Sequence, residues 1–153
     1  MDVKYITPFM DSLVSVLGSF GISDIKRGRI LKKENMNVDM DITSVIGLAG
    51  DIRGNIAYSL SSGTAKQIIS AMMMGAPVPE IDAVGRSAIG ELSNMITGTA
   101  SSILSGVGTN VQLTPPSIVI GKDIYFIISS VQTIAVDMET PFGKIEVNIG
   151  LEI

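Results

Sequence analysis

Neither cysteine nor histidine occurs in the 153 residues. Without cysteine there can be no disulfide, thiolate nucleophile or thiolate metal ligand, which suits a reducing compartment. Without histidine there is no Ser-His-Asp or Cys-His machinery, no imidazole acid or base, no phosphohistidine, and little prospect of a transition-metal site. Any chemistry must come from carboxylates, amides, Lys or Arg, hydroxyls, or a group that a partner supplies. Cationic clusters are scarce as well. Eleven Lys and Arg stand against fifteen Asp and Glu, a net charge of −4, and no basic run exceeds a pair such as Lys32-Lys33. Nucleic acid and anionic membranes, which need a clustered positive field, are poor partners for such a chain. No uninterrupted apolar run reaches the length of a membrane span. The N-terminal Met1-Asp2-Val3-Lys4-Tyr5 carries an acid where a secretory leader carries base. These features lead us to expect a cytoplasmic protein. The few aromatics, three Tyr and four Phe, argue against a small-ligand sensor pocket.

What is present is apolar: 46% of the residues are hydrophobic and 17% charged, enough to fold one domain over 1–153. Val3, Ile6, Met10, Leu13, Val14 and Leu17 recur at helical spacing before Gly18 and Gly21. Ile25 to Leu31 and Val38 to Thr43 alternate as strands with one wet face. Gly50-Asp51 and Gly54 punctuate a hairpin between two apolar runs that end near Leu60. Ser61 or Ser62 can cap a short helix through Met74, closed by Gly75, Pro77 and Pro79. A longer helix over about 80–105 carries Ile81, Val84, Ala88, Leu92, Met95, Ile96, Ile103 and Leu104 as its apolar stripe, with Gly106 placed to cap it. Short runs at 111–113 and 118–120 flank Pro115-Pro116. Two long runs, 124–138 and 144–153, are joined by a turn at Thr140 to Gly143. The absence of βαβ alternation predicts an α+β fold with a mainly antiparallel sheet and two long helices and a shorter one.

The long helix poses the functional question. On a wheel of ~100° per residue, Ser87, Gly90, Glu91, Asn94, Thr97, Gly98 and Ser101 gather on one side, away from Leu92, Ala88 and Ile96. Glu91 and Asn94 are neighbours about one turn apart. Everything around them is small, and two glycines sit in the helix interior, each costing about 1 kcal/mol relative to Ala. Tight packing within the chain would explain this. A buried glutamate with no Lys or Arg at i±3 or i±4 would be costly, however, which favours an exposed face kept flat for a partner. The same spacing in Glu34 and Asn37 leads into a strand, where residues three apart point to opposite faces. Asp39, Asp41 and Asp51 are too few to form a cation site, and "GVGTN" at 106–110 follows a helix rather than a strand. "MMMG" at 72–75 reads as helix-end packing.

"GELSNMITG", with Ser87 before it and Pro115-Pro116 after it, resembles the E-x-x-N signature of the CheC/CheX/FliY family of chemotaxis phosphatases. The resemblance covers nearly the whole chain and, with a single signature in a short sequence, is nearest to CheX-like members. It implies a CheC/CheX-like fold, a homodimer, and hydrolase activity on the aspartyl phosphate of a CheY-like response regulator in two-component signalling. By similarity, Asn94 would orient the attacking water and Glu91 would pair with the partner's lysine. Ser87, Gly90, Thr97 and Gly98 would bind the partner. No cofactor or metal is expected on this chain, since the phosphorylated partner brings Mg²⁺. The apolar terminal strands are candidate edges for dimer pairing. The alternative is a non-catalytic adaptor that docks on a receiver domain or another signalling protein.

Overall fold

The computed structural model describes residues 3–152, so Met1, Asp2 and the last residue of the terminal run, Ile153, lie outside the described residues. In chain order the elements are α1 (Val3–Ser19), β1 (Lys26–Lys33), β2 (Met36–Val38), β3 (Ile42–Gly50), β4 (Arg53–Leu60), α2 (Ser62–Met72), α3 (Ala83–Gly106), β5 (Val111–Leu113), β6 (Ser117–Ile120), β7 (Phe126–Ser129), β8 (Thr133–Thr140) and β9 (Gly143–Glu152). Seven strands form one antiparallel sheet in the order β1-β8-β9-β4-β3, with β5 and β6 sharing the far side of β3. The α+β expectation holds.

The helices cover one face of the sheet. Ile145, Val147, Ile149 and Leu151 of β9 join Ile46 and Ile56 beneath Phe9, Leu13 and Leu17 of α1 and Ile89, Leu92 and Ile96 of α3, in one contiguous apolar cluster. The period-two alternation of β9 sends Glu146 and Asn148 to the opposite face. There the ribbon of β2 and β7 lies against β9, with Met36 and Val38 buried.

Several elements depart from the sequence reading. Val3 and Val14 are exposed, and Phe9 and Val16 complete the inner face of α1 instead. The β1 strand has no dry face: every residue but Lys33 is exposed, because it is the sheet's edge. The strand expected over 38–43 is split between the ribbon and β3, and the run 124–138 is split between β7 and β8. Gly106 is the last helical residue of α3; the left-handed position, φ 89°, falls on Gly108. Neither terminal strand offers a free edge, since β8 lies between β1 and β9, and β9 between β8 and β4.

Two features position the functional helix. Asp82 caps α3 by accepting the Gly85 N–H at 2.9 Å. The Pro115-Pro116 break lies between β5 and β6, and Thr114 fastens it to β3 by donating its N–H to the Gly47 carbonyl and accepting the Gly47 N–H at 2.8 Å. Two short strands interrupted by prolines suit a sheet edge, where missing N–H donors cost little.

Candidate functional site

The buried residues of α3 are Gly85, Ile89, Gly90, Leu92, Ser93, Ile96, Thr97, Ala100 and Leu104. At ~100° per residue, Ile89, Ser93, Ala100 and Leu104 lie roughly opposite Glu91, so the inner face combines the expected Leu92–Ile96 stripe with small residues. Small side chains let α3 sit close to the layer beneath it. The opposite arc is left to solvent: Ser87, Glu91 and Asn94 are exposed, and Gly98 is half-exposed with open space where a Cβ would stand.

An open depression of about 570 Å³ runs beside this arc, lined by Ala83, Arg86, Ser87, Gly90, Glu91, Asn94, Pro116 and Ile118. The wall opposite α3 is therefore the start of β6. Gly90 is buried at the base, where a Cβ would lie 3.5 Å from Pro116 Cγ and 3.8 Å from Ile118 Cδ1, ordinary contact. A methyl group would fit at Gly90, so its burial takes it off the partner surface without packing demanding a glycine there, while Gly98 keeps an open surface flat. Thr97 is the clear correction. Expected on the partner surface, it is fully buried, and its Oγ1 is 2.8 Å from the Tyr58 hydroxyl. Burial pushes the Tyr58 hydroxyl well above the usual tyrosine range, so it remains protonated.

Among the described residues, the side chains of Glu91 and Asn94 make no hydrogen bond or ion pair, and neither does the guanidinium of Arg86. A carboxylate, a carboxamide and a guanidinium therefore share one groove with their bonding capacity unspent. Arg86, Ala83 and Ile118 line the groove as well, beyond the residues that the signature singles out. Helical spacing could have found the arginine, since it lies four residues before Gly90, on the groove side of the wheel. The aspartates of the chain serve locally: Asp41 Oδ2 accepts the Ser62 N–H at 2.9 Å, and Asp51 Oδ2 accepts the Asn110 N–H at 2.8 Å.

An open groove with a protruding Glu–Asn pair is built to meet a macromolecule rather than to enclose a small one. The relatives agree in kind. Residues 42–139 match the family described as chemotaxis phosphatase CheX. The chain is 33% identical over 124 residues to the CheY-P phosphatase CheX of Thermotoga maritima, a match that covers 81% of this chain and 80% of that protein. Among solved structures, a CheC-like superfamily protein from Shewanella sp. PV-4 superposes with a TM-score of 0.89 at 28% identity over 100% of both chains. CheX in the CheX–CheY–BeF3–Mg²⁺ complex of Borrelia burgdorferi superposes with a TM-score of 0.78 at 25% identity, covering 97% of this chain and 98% of that one. This chain belongs to the CheX family of chemotaxis phosphatases. Among the described residues no helix is long and apolar enough to cross a membrane.

Proposed function

We propose that the chain hydrolyses the aspartyl phosphate of a CheY-like receiver domain, with Asn94 orienting the attacking water and Glu91 anchoring the partner. The observation that carries this reading is the pair of unpartnered side chains on the exposed arc of α3, beside an open groove. An acyl phosphate is a mixed anhydride and already labile. Its hydrolysis needs a water held in line with phosphorus and charge stabilisation on the phosphoryl oxygens. The partner's Mg²⁺ supplies the stabilisation. The Asn94 carboxamide oxygen accepts one hydrogen bond from the water, fixing its lone pair toward phosphorus. The water's oxygen bonds to phosphorus, the bond to the aspartyl oxygen breaks, and inorganic phosphate and a free carboxylate leave. Neither nucleophile nor metal is asked of a chain without histidine or cysteine.

Glu91, exposed on the surface, meets the ammonium of a lysine beside the partner's phosphorylated aspartate, which docks α3 over the acyl phosphate. Ser87 and Gly98 let the helix approach closely. The protein acts in the cytoplasm as a homodimer, pairing through a surface other than the terminal strands, whose edges are already occupied.

The test is the lifetime of the phosphoryl group on a purified receiver with Mg²⁺, with and without this protein. A phosphatase shortens it catalytically, and the double substitution Glu91→Ala/Asn94→Ala abolishes the effect. Complex formation with no change in lifetime would identify a docking adaptor instead.

A further inference from the structure

Arg86 shares the groove with the Glu–Asn pair but has no role in the chemistry just described. It lies eight residues before Asn94, ~12 Å along the helix axis, and helical side chains lean toward the N-terminus, which carries its guanidinium further from the reacting phosphorus. It is exposed and unpaired among the described residues. It also stands in the opening turns of α3, the positive end of the helix, where a cation is disfavoured. Asp82, four residues earlier, accepts the Gly85 N–H on one carboxylate oxygen and makes no ion pair with Arg86. No ion pair among the described residues calls for a cation at this place, in a chain with an acidic excess.

We infer that Arg86 is a specificity-determining docking residue, which forms an ion pair with a carboxylate on the rim of the partner's phosphorylation site. This rests on the proposed phosphatase reading. A receiver that holds Mg²⁺ beside a phosphorylated aspartate must itself present carboxylates, because Mg²⁺ takes oxygen ligands. Those carboxylates lie beside the phosphoryl group at Asn94 and make the partner's surface anionic around that point, while Arg86, ~12 Å away along α3, faces the rim of that surface. Glu91 at one edge demands a cation from the partner and Arg86 at the other demands an anion, so the two charges of opposite sign fix the direction in which a partner lies along α3. A reversed docking would set like charges against each other, which selects against wrong partners and wrong orientations.

The test uses the receiver domains of the source organism, phosphorylated with acetyl phosphate and Mg²⁺, in steady-state dephosphorylation by the full chain and its Arg86→Ala, Arg86→Glu and Arg86→Lys variants. Arg86→Ala is expected to raise KM about tenfold with kcat within twofold, and Arg86→Glu to raise it further. Arg86→Lys, which keeps the charge but not the planar fork, should recover most of the loss. The fall of kcat/KM with added salt should be shallower for Arg86→Ala than for the parent. Unfolding midpoints should be unchanged, since the side chain has no internal partner. An active parent whose Arg86→Ala and Arg86→Glu variants keep its KM overturns the inference and leaves the phosphatase reading standing. A loss confined to kcat overturns it too, by moving Arg86 into the chemistry. A parent inert on every receiver overturns both.

Discussion

Glu146 with Asn148 on β9 and Glu91 with Asn94 on α3 are two pairings of a glutamate and an asparagine that differ in everything except residue type. On β9, Glu146 and Asn148 lie on the ribbon side of the sheet and are buried. The Lys33 ammonium there donates to Glu146 Oε1 at 2.9 Å, Asn148 Oδ1 at 2.8 Å and the Asn37 carbonyl at 2.8 Å, while Asn148 Nδ2 donates to Glu146 Oε1 at 3.0 Å. All three ammonium protons are used, so the cluster has little capacity left for a visitor. On α3, Glu91 and Asn94 are exposed and their side chains bond to nothing among the described residues. The first pair ties β1, the ribbon and β9 together; the second is left available. Residue identity alone does not separate a structural Glu–Asn pair from a functional one. Burial and partnering do.

Breaking the buried member should have the largest effect. Lys33→Met leaves the Glu146 carboxylate buried without its cation and should lower the unfolding free energy by about 3 kcal/mol in urea denaturation, with the folded fraction retaining its phosphatase rate. A loss below about 1 kcal/mol would dissolve the contrast, because the network would then be structurally idle. Next comes Thr97→Val, which keeps the shape but strands the Tyr58 hydroxyl. The expected cost is about 1–3 kcal/mol of stability with KM and kcat unmoved. A weakened receiver complex at unchanged stability would return Thr97 to the partner surface.

On the exposed side, Glu91→Ala should weaken receiver binding about tenfold in titration, with thermal stability unchanged. Equal binding would remove Glu91 as the anchor. The smallest effect belongs to Asp41, whose carboxyl is held below its ordinary value of 3.8 by hydrogen bonds from the Ser62 backbone and side chain. A depressed folded-state value means that the contribution is present above pH 3.8 and lost as pH falls through the lower folded value. Asp41→Asn should therefore be slightly less stable near neutrality and converge with the parent in acid; parallel stability curves would reject that linkage.

The contrast also explains what the sequence could convey. The bounds of α3, the β3–β4 hairpin and the exposure of Glu91 and Asn94 were legible because helical period, glycine punctuation and the absence of nearby cations are local signals. Thr97 was misplaced because its partner, Tyr58, is 39 residues away, and on the wheel it differs from Asn94 by only ~60°. The burial of Glu146 and Asn148 leaves no local mark in the sequence, because the ribbon that covers them comes from two distant segments. The split of run 124–138 was hidden for the same reason: an apolar run carries no mark of where it changes sheets. The cap expected at Gly106 falls two residues later, on Gly108, whose φ of 89° takes the left-handed turn.

The central claim is that Asn94 works on the water and not on the fold or the complex. Phosphoryl lifetime and receiver affinity, measured together for the parent and Asn94→Ala, test it most directly. The account predicts turnover lower by roughly 10²-fold, binding within a factor of two or three, and an unchanged melting curve. Unchanged turnover, or a loss matched by an equal loss of affinity, would contradict it.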